Sequence, residues 1–219
     1  MLNRIISKTM SIVFLVSLLT ATAQAAPAKP QDIIESATSA LIKGLQTERD
    51  ANTLTPESIQ NLAQKLLVPH LNLTKISRLV LGKHWRRATS EQKEAFQDLF
   101  IIMLMQTYTT ALAENIEVAL TRKVNYLPMT RDSSVEDDVT VRTEINSTTG
   151  KPVPVNYRLH LKKGNWKIYD VTVAGISLVV TYRNNFSSEI RRGGLDKLIS
   201  RLASHNDKRT QATLTNFKN

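Results

Sequence analysis

Val153-Pro154-Val155-Asn156-Tyr157-Arg158-Leu159-His160-Leu161-Lys162 alternates apolar and polar side chains without a break, and Lys163-Gly164-Asn165 follows it with turn chemistry. Such alternation marks a strand with one face on a core and the other in water, as in antiparallel sheets. Trp166 to Val173 supplies the return strand of a hairpin. There the pattern slips, with Trp166 and Ile168 on one face and Tyr169, Val171 and Val173 on the other. A phase change of this kind predicts a β-bulge, which bends the sheet.

Two more strands are predicted upstream. Val139, Val141 and Ile145 mark one, and Ile116, Val118, Leu120, Val124 and Tyr126 mark another, with Arg122 breaking the apolar face. Before these strands the apolar period is helical. A helix is predicted over 32–46, and a second opens at Thr55-Pro56, with proline at the favoured first position, and stops at Pro69. A short helix over 74–81 ends at Gly82. Thr89 with Gln92 forms a capping box for a long helix carrying Phe96, Leu99, Phe100, Met103, Tyr108 and Leu112. Residues 101–105 are apolar on every side, which predicts burial on more than one face. After the hairpin comes a helix over 176–190, a break at Gly193-Gly194 and a shorter helix to about 202. Residues 205–219 are polar and aperiodic, and read as a frayed tail.

The order of helices, strands and helices reads as α+β: a curved antiparallel four-stranded sheet wrapped by helices around an apolar cavity. One domain over 26–204 is expected, preceded by an export signal. Arg4 and Lys8 form its charged start, residues 12–19 its apolar stretch, and Ala23-Gln24-Ala25 a small-residue cleavage site. That apolar stretch is short for a spanning helix, which argues for cleavage after Ala25 over an uncleaved anchor. Cleavage removes two cations and no acid, lowering the net charge from +10 to +8. In an exported chain this basicity points to anionic membrane surfaces or an acidic protein partner, and not to nucleic acid. The chain has no cysteine, which excludes a disulfide framework and a lipid-modified N-terminal cysteine.

No catalytic constellation stands out. Four histidines, at 70, 84, 160 and 205, share no metal-ligand spacing, so neither a metal nor another cofactor is expected. Gly175-Ile176-Ser177-Leu178-Val179 lacks the second glycine of a nucleophile elbow, and only His205 lies downstream as a base. Ser177 reads better as a helix cap. Arg122 has two open readings: a rim guanidinium reaching water, or a cation at a cavity mouth that meets a phosphate. Lys83, Arg86 and Arg87, set around His84 and Trp85, read either as a solvated helix end or as a docking patch.

The run from Ile76 to Thr89 with Gln92 and Phe96, the Pro152-Val153-Pro154-Val155 strand start, Gly164 to Asp170, and Gly175-Ile176-Ser177-Leu178 together resemble the MlaC family, also called the Ttg2 or toluene-tolerance family. The resemblance covers roughly 31–202. It implies an NTF2-like or MlaC-like mixed fold with a deep cavity for phospholipid acyl chains. It also implies a monomeric periplasmic shuttle, free of catalysis, between an outer-membrane MlaA–porin complex and an inner-membrane ABC transporter bearing MlaD, which maintains outer-membrane lipid asymmetry. Within that pattern Tyr108, Tyr157, Leu159, Tyr169 and Ile176 take cavity positions. The apolar faces add Leu99, Met103, Val118, Leu120, Val141, Trp166, Val171 and Val179. Arg122, Lys83, Arg86 and Arg87 are left for headgroup or partner. The competing expectation is a periplasmic adaptor with a solid core and a basic protein-docking face.

Overall fold

The computed structural model describes residues 28–129, 136–147 and 150–216, with side chains to 207. The export signal over 1–25 lies outside the described residues. Six helices and a five-stranded antiparallel sheet, in the simple order β1-β2-β3-β4-β5, make up the described fold.

Helix α1 (Pro30–Asp50) starts with proline at its first turn, and α2 (Pro56–Leu66) is capped by Thr55, whose hydroxyl accepts from Ser58 N at 3.0 Å. A 3-10 turn (Val68–His70) leads to α3 (Leu73–Leu81), capped by Asn72 and ended by Gly82 at φ +53°. A second 3-10 turn spans Gly82–Arg86. Helix α4 (Ser90–Glu114) carries the expected capping box: Thr89 Oγ1 accepts from Gln92 N at 3.2 Å, and Gln92 Oε1 accepts from Thr89 N at 3.0 Å.

The expected first strand is largely a helix. Residues Ile116–Thr121 form α5, and only Val124–Tyr126 is extended, as β1. Ile116, Val118 and Leu120 alternate, but Ile116, Ala119 and Leu120 also sit at i, i+3, i+4, so periodicity over six residues fits both states. Strand β2 (Asp138–Ile145) pairs with β3 (Val153–Lys162), which pairs with β4 (Asn165–Val173) through the two-residue loop Lys163–Gly164. Both loop residues have positive φ, +50° and +75°, the geometry whose twist suits a hairpin.

The bulge is present. Arg158 pairs with Asp170 and Leu159 with Ile168, which leaves Tyr169 as the extra residue of β4. This one residue corrects the face assignment. Partners in a ladder share a face, so Val171 and Val173 (opposite Tyr157 and Val155) rejoin Ile168 and Trp166 (opposite Leu159 and Leu161). Tyr169 alone turns to the polar side. A fifth strand, β5 (Ile176–Ser177), takes the place of the first turn of the expected helix, so the sheet has five strands and not four.

Helix α6 (Leu178–Asn216) follows, broken at Gly194 (φ 82°, ψ 169°) where the glycine pair stands. It runs past the expected end near 202. Asn206 is buried, and its side-chain amide donates to Leu99 O at 3.0 Å, which ties that turn to α4. The frayed tail therefore does not begin at 205.

Apolar side chains gather in two places. One core is helical: Val80 and Leu81 of α3, Phe96, Phe100 and Met103 of α4, and Val179, Phe186, Ile190, Leu198 and Leu202 of α6. The other lies on the sheet, where Val139, Val141, Leu159, Trp166 and Ile168 meet Ile34 of α1.

Candidate functional site

The sheet's apolar face changes character along its length. At the β3–β4 hairpin end, Leu159 is 0% exposed and Trp166 2%, under α1. At the far end Val173 pairs with Ile176 across β4 and β5, on the same face, and these are 39% and 64% exposed. A β-branched pair set opposite each other would be expected to be covered. Among the described residues, Val180 at the start of α6, Val118 on α5, and Tyr108 and Ile102 on α4 are the other large exposed apolar side chains. One face thus begins as protein core and ends as bare hydrocarbon.

Asp170 ties β4 to β5 and the start of α6. Buried within β4, it accepts Ser177 Oγ–H at 2.7 Å on one carboxylate oxygen and Val179 N–H at 3.1 Å on the other. Ser177 Oγ in turn accepts Val180 N–H at 3.1 Å. Ser177 is a helix cap, and a carboxylate at a helix N-terminus meets favourable dipole charge. The arrangement fixes how β5 presents Ile176. Tyr108, 43% exposed overall, shares a hydrogen bond with Tyr182 of α6, and partial burial, chiefly, pushes its phenol well above the usual range. Burial first, and then Tyr126 beside it on the sheet face, also raises the Tyr157 phenol.

The structure distributes the sequence-predicted residues unevenly. Val141, Leu159 and Trp166 are buried on the sheet face, with Tyr157 and Val171 packed against them. Met103 and Val179 are buried in the helical core, with Leu99 packed on it. Tyr108, Val118 and Ile176 are exposed, and Leu120 is half-buried on α5. Tyr169 leaves the cavity set. Its ring lies on the polar face with Lys75 Nζ 3.7 Å and the Arg158 guanidinium 4.8 Å from its centre, and its hydroxyl donates to Asp138 Oδ1 at 2.5 Å. The extra residue at the bulge is the cause. Burial raises the Asp138 carboxyl, but the hydrogen bonds from Tyr169 and Lys75 outweigh it and hold the group below its ordinary value. This cluster escaped sequence reasoning because Lys75 and Asp138 are 63 residues apart.

Arg122 is not on a strand face. It caps the C-terminus of α5 in extended backbone, and its guanidinium donates to Asn146 O at 2.9 Å. Lys83, Arg86 and Arg87 are exposed on and just after the second 3-10 turn. Burial first, then Lys83, Arg87 and Arg191 nearby, lowers the affinity of the His84 imidazole for a proton, so α6 adds to this basic patch. Among the described residues no group of acids and histidines is placed to hold a metal ion, and no helix is long and apolar enough to cross a membrane.

An open antiparallel sheet, its apolar face partly covered by helices and partly bare, defines an α+β protein. The family model of the MlaC protein matches residues 35–204, and the chain belongs to the MlaC family. It is 30% identical to the toluene tolerance protein Ttg2D of Pseudomonas putida over 201 residues, 89% of this chain and 87% of that one. It is 24% identical to the intermembrane phospholipid transport system binding protein MlaC of Haemophilus influenzae over 180 residues, 81% and 82% of the two. The fold is similar to a solved phospholipid-binding protein from Ralstonia solanacearum in complex with a phospholipid. The TM-score is 0.73 and the identity 29%, over 84% of this chain and 99% of that one.

Proposed function

We propose that this chain is a soluble, non-enzymatic phospholipid carrier. Acyl chains would lie along the sheet face beyond the closed core at Val141 and Leu159, towards Val173 and Ile176, beneath α4 and α5. The observation that carries the reading is the single apolar face that runs from fully buried to uncovered. Family membership and the phospholipid-bound Ralstonia relative support it.

The physics asks for such a device. Two acyl chains hold about 30 methylenes at about 0.8 kcal/mol each, so exposing them to water costs on the order of 20 kcal/mol. A carrier needs to hide the tails and can leave the headgroup wet. It needs no catalyst. The sequence of 1–25 supports export to the periplasm with cleavage after Ala25. The finer reading is a shuttle between outer-membrane MlaA–porin and inner-membrane MlaD complexes, with the patch of Lys83, Arg86 and Arg87 meeting partner or headgroup charge. Arg122, held by Asn146 O, is the less available cation.

Mass spectrometry of an organic extract of the purified protein tests the proposal. Co-purifying diacyl phospholipid is the expected result. Protein that is reproducibly lipid-free and takes up none from vesicles would instead favour the adaptor with a solid core.

A further inference from the structure

Helix α6 leaves the bare end of the sheet along a face that changes chemistry. Val180, Arg183, Asn184, Ser187 and Arg191 recur at helical spacing and share one stripe, about 16 Å long. Val180 is 52% exposed, and Arg183, Asn184 and Arg191 are exposed as well. The Arg191 guanidinium donates to Ser187 Oγ at 3.0 Å, one turn back along the stripe. The face thus starts as hydrocarbon, next to Ile176 of β5, and ends as cations.

A run nearly a hundred residues upstream lies beside it. A Cβ on Gly82 would stand 3.0 Å from Arg183 Nε, so the Arg183 side chain lies against the junction of α3 and the second 3-10 turn. Lys83, Arg86 and Arg87 stand exposed on and just after that turn. Burial, then Lys83, Arg87 and Arg191 together, hold the His84 imidazole below its ordinary value, which sets the two runs side by side. Among the described residues, none of the cations in 83–87 or 183–192 is in an ion pair. The one carboxylate in these runs, Glu189, accepts from Arg201 Nε at 2.6 Å. At the border Asp196 accepts from Gln92 Nε2 at 2.7 Å, and Glu91 and Glu94 flank Lys93, whose ammonium lies 5.5 Å from the Trp85 ring centre. With Lys93 and Arg201 included, eight cations face these four acids, and the surface stays positive.

We propose that the α6 stripe and the second 3-10 turn dock the protein on an anionic lipid bilayer, with Ile176 and Val180 at the acyl boundary and the cations among the headgroup phosphates. The proposal rests on the carrier reading and adds to it the surface from which lipid reaches the bare end of the sheet. Basic clusters gain about fivefold in affinity per cation at such a surface, and apolar side chains that enter the interface add to this. A bilayer asks for charge density and not for a fitted shape, which suits long side chains on a convex helix and turn. Trp85, half-buried among the cations, is a residue type that favours membrane interfaces. An acidic protein would answer the cations but not the hydrocarbon at the head of the same stripe.

The probe is a vesicle of phosphatidylcholine with about 30% phosphatidylglycerol, mixed with the purified protein at about 50 mM salt and followed by co-sedimentation. Binding that fades towards about 500 mM salt, and that is absent on pure phosphatidylcholine, is the expected result. Lys83→Gln with Arg87→Gln and Arg191→Gln should weaken it at least about tenfold. All three positions are exposed, so the urea midpoint should stay at the wild-type value. Lys162→Gln with Lys163→Asn, at the hairpin away from the stripe, should leave vesicle affinity within about twofold. The chain has no cysteine, so Val180→Cys takes a single environment-sensitive dye, whose emission should shift to the blue on the anionic vesicles. Absent binding, equal binding to neutral vesicles, an unmoved dye at 180, or a triple variant that binds as wild type overturns the proposal. So does an equal loss in the hairpin variant, which would reduce the effect to net charge, and so does a protein that ignores vesicles yet binds a poly-glutamate peptide. Co-purifying lipid in the triple variant should match wild type. Protein that carries lipid but ignores vesicles sinks the docking surface alone, and lipid-free protein that binds vesicles sinks the carrier reading alone.

Discussion

The two apolar regions are built from similar residues and packed to different ends. In the helical core Phe96 stacks on Phe100 at 5.3 Å, and Phe186 meets both edge-on at 5.9 and 5.6 Å. Tyr182 closes the set 5.2 Å from Phe100. Rings at these separations fill space and gain beyond their burial. On the sheet side the aliphatic face is complete at Leu159 and unfinished at Val173 and Ile176. The difference separates the region that stabilises the fold from the region that the carrier reading assigns to a guest. A carrier needs both, because a cavity wall keeps its shape only if something else holds it.

Substitutions sharpen that contrast, ranked here by their effect on stability. Leu159→Glu places an unpaired carboxylate at a position with no exposure, and should cost more than about 4 kcal/mol, read as loss of the urea transition. The structure thereby makes Leu159 a poor probe of lipid contact. Phe96→Ala removes a ring at the centre of the aromatic set and should cost about 3–5 kcal/mol by urea denaturation. Lipid content per folded molecule should be unchanged. If Phe96→Ala also empties the protein of lipid, the two regions are one.

Asp138→Asn should cost about 1–2 kcal/mol at neutral pH, since Tyr169 and Lys75 lose a charged acceptor that is partly open to solvent. The folded carboxyl lies below its ordinary value of 3.8. Its stabilisation is therefore present above that value and is lost as pH falls through the folded one. Urea midpoints from about pH 5 down to about pH 2, a range that spans the ordinary value and the lower folded one, should show a smaller acid-side decline in the variant. Ile176→Glu should shift stability by less than about 0.5 kcal/mol, as a surface change, while reducing co-purifying lipid severalfold. Wild-type lipid content in that variant would remove the open end of the sheet from the site.

The alternation of β3, the hairpin loop, the proline start of α2 at Pro56, the capping box at Thr89 and the helix break at the Gly193-Gly194 pair were all legible, because each depends on neighbours within a few residues. The bulge was also legible as a slip in phase, yet its consequence was not. Sequence spacing put Tyr169 with Val171, whereas pairing with β3 shows that one residue steps out and the rest return to the original face. α5 was misread because six apolar-rich residues satisfy two periods, and packing against α1 and α4 chooses between them.

By itself the sequence determined an α+β chain with a bent antiparallel sheet and an aromatic helix, since local periodicity and turn chemistry carry that information. Only the tertiary structure decided which apolar residues are closed into a core and which stay bare. It also brought Lys75, Asp138 and Tyr169 together across the chain, and set the cations of 83–87 beside those of α6. Burial and the meeting of distant charges are properties of what lies opposite a residue in space, and no local pattern encodes that.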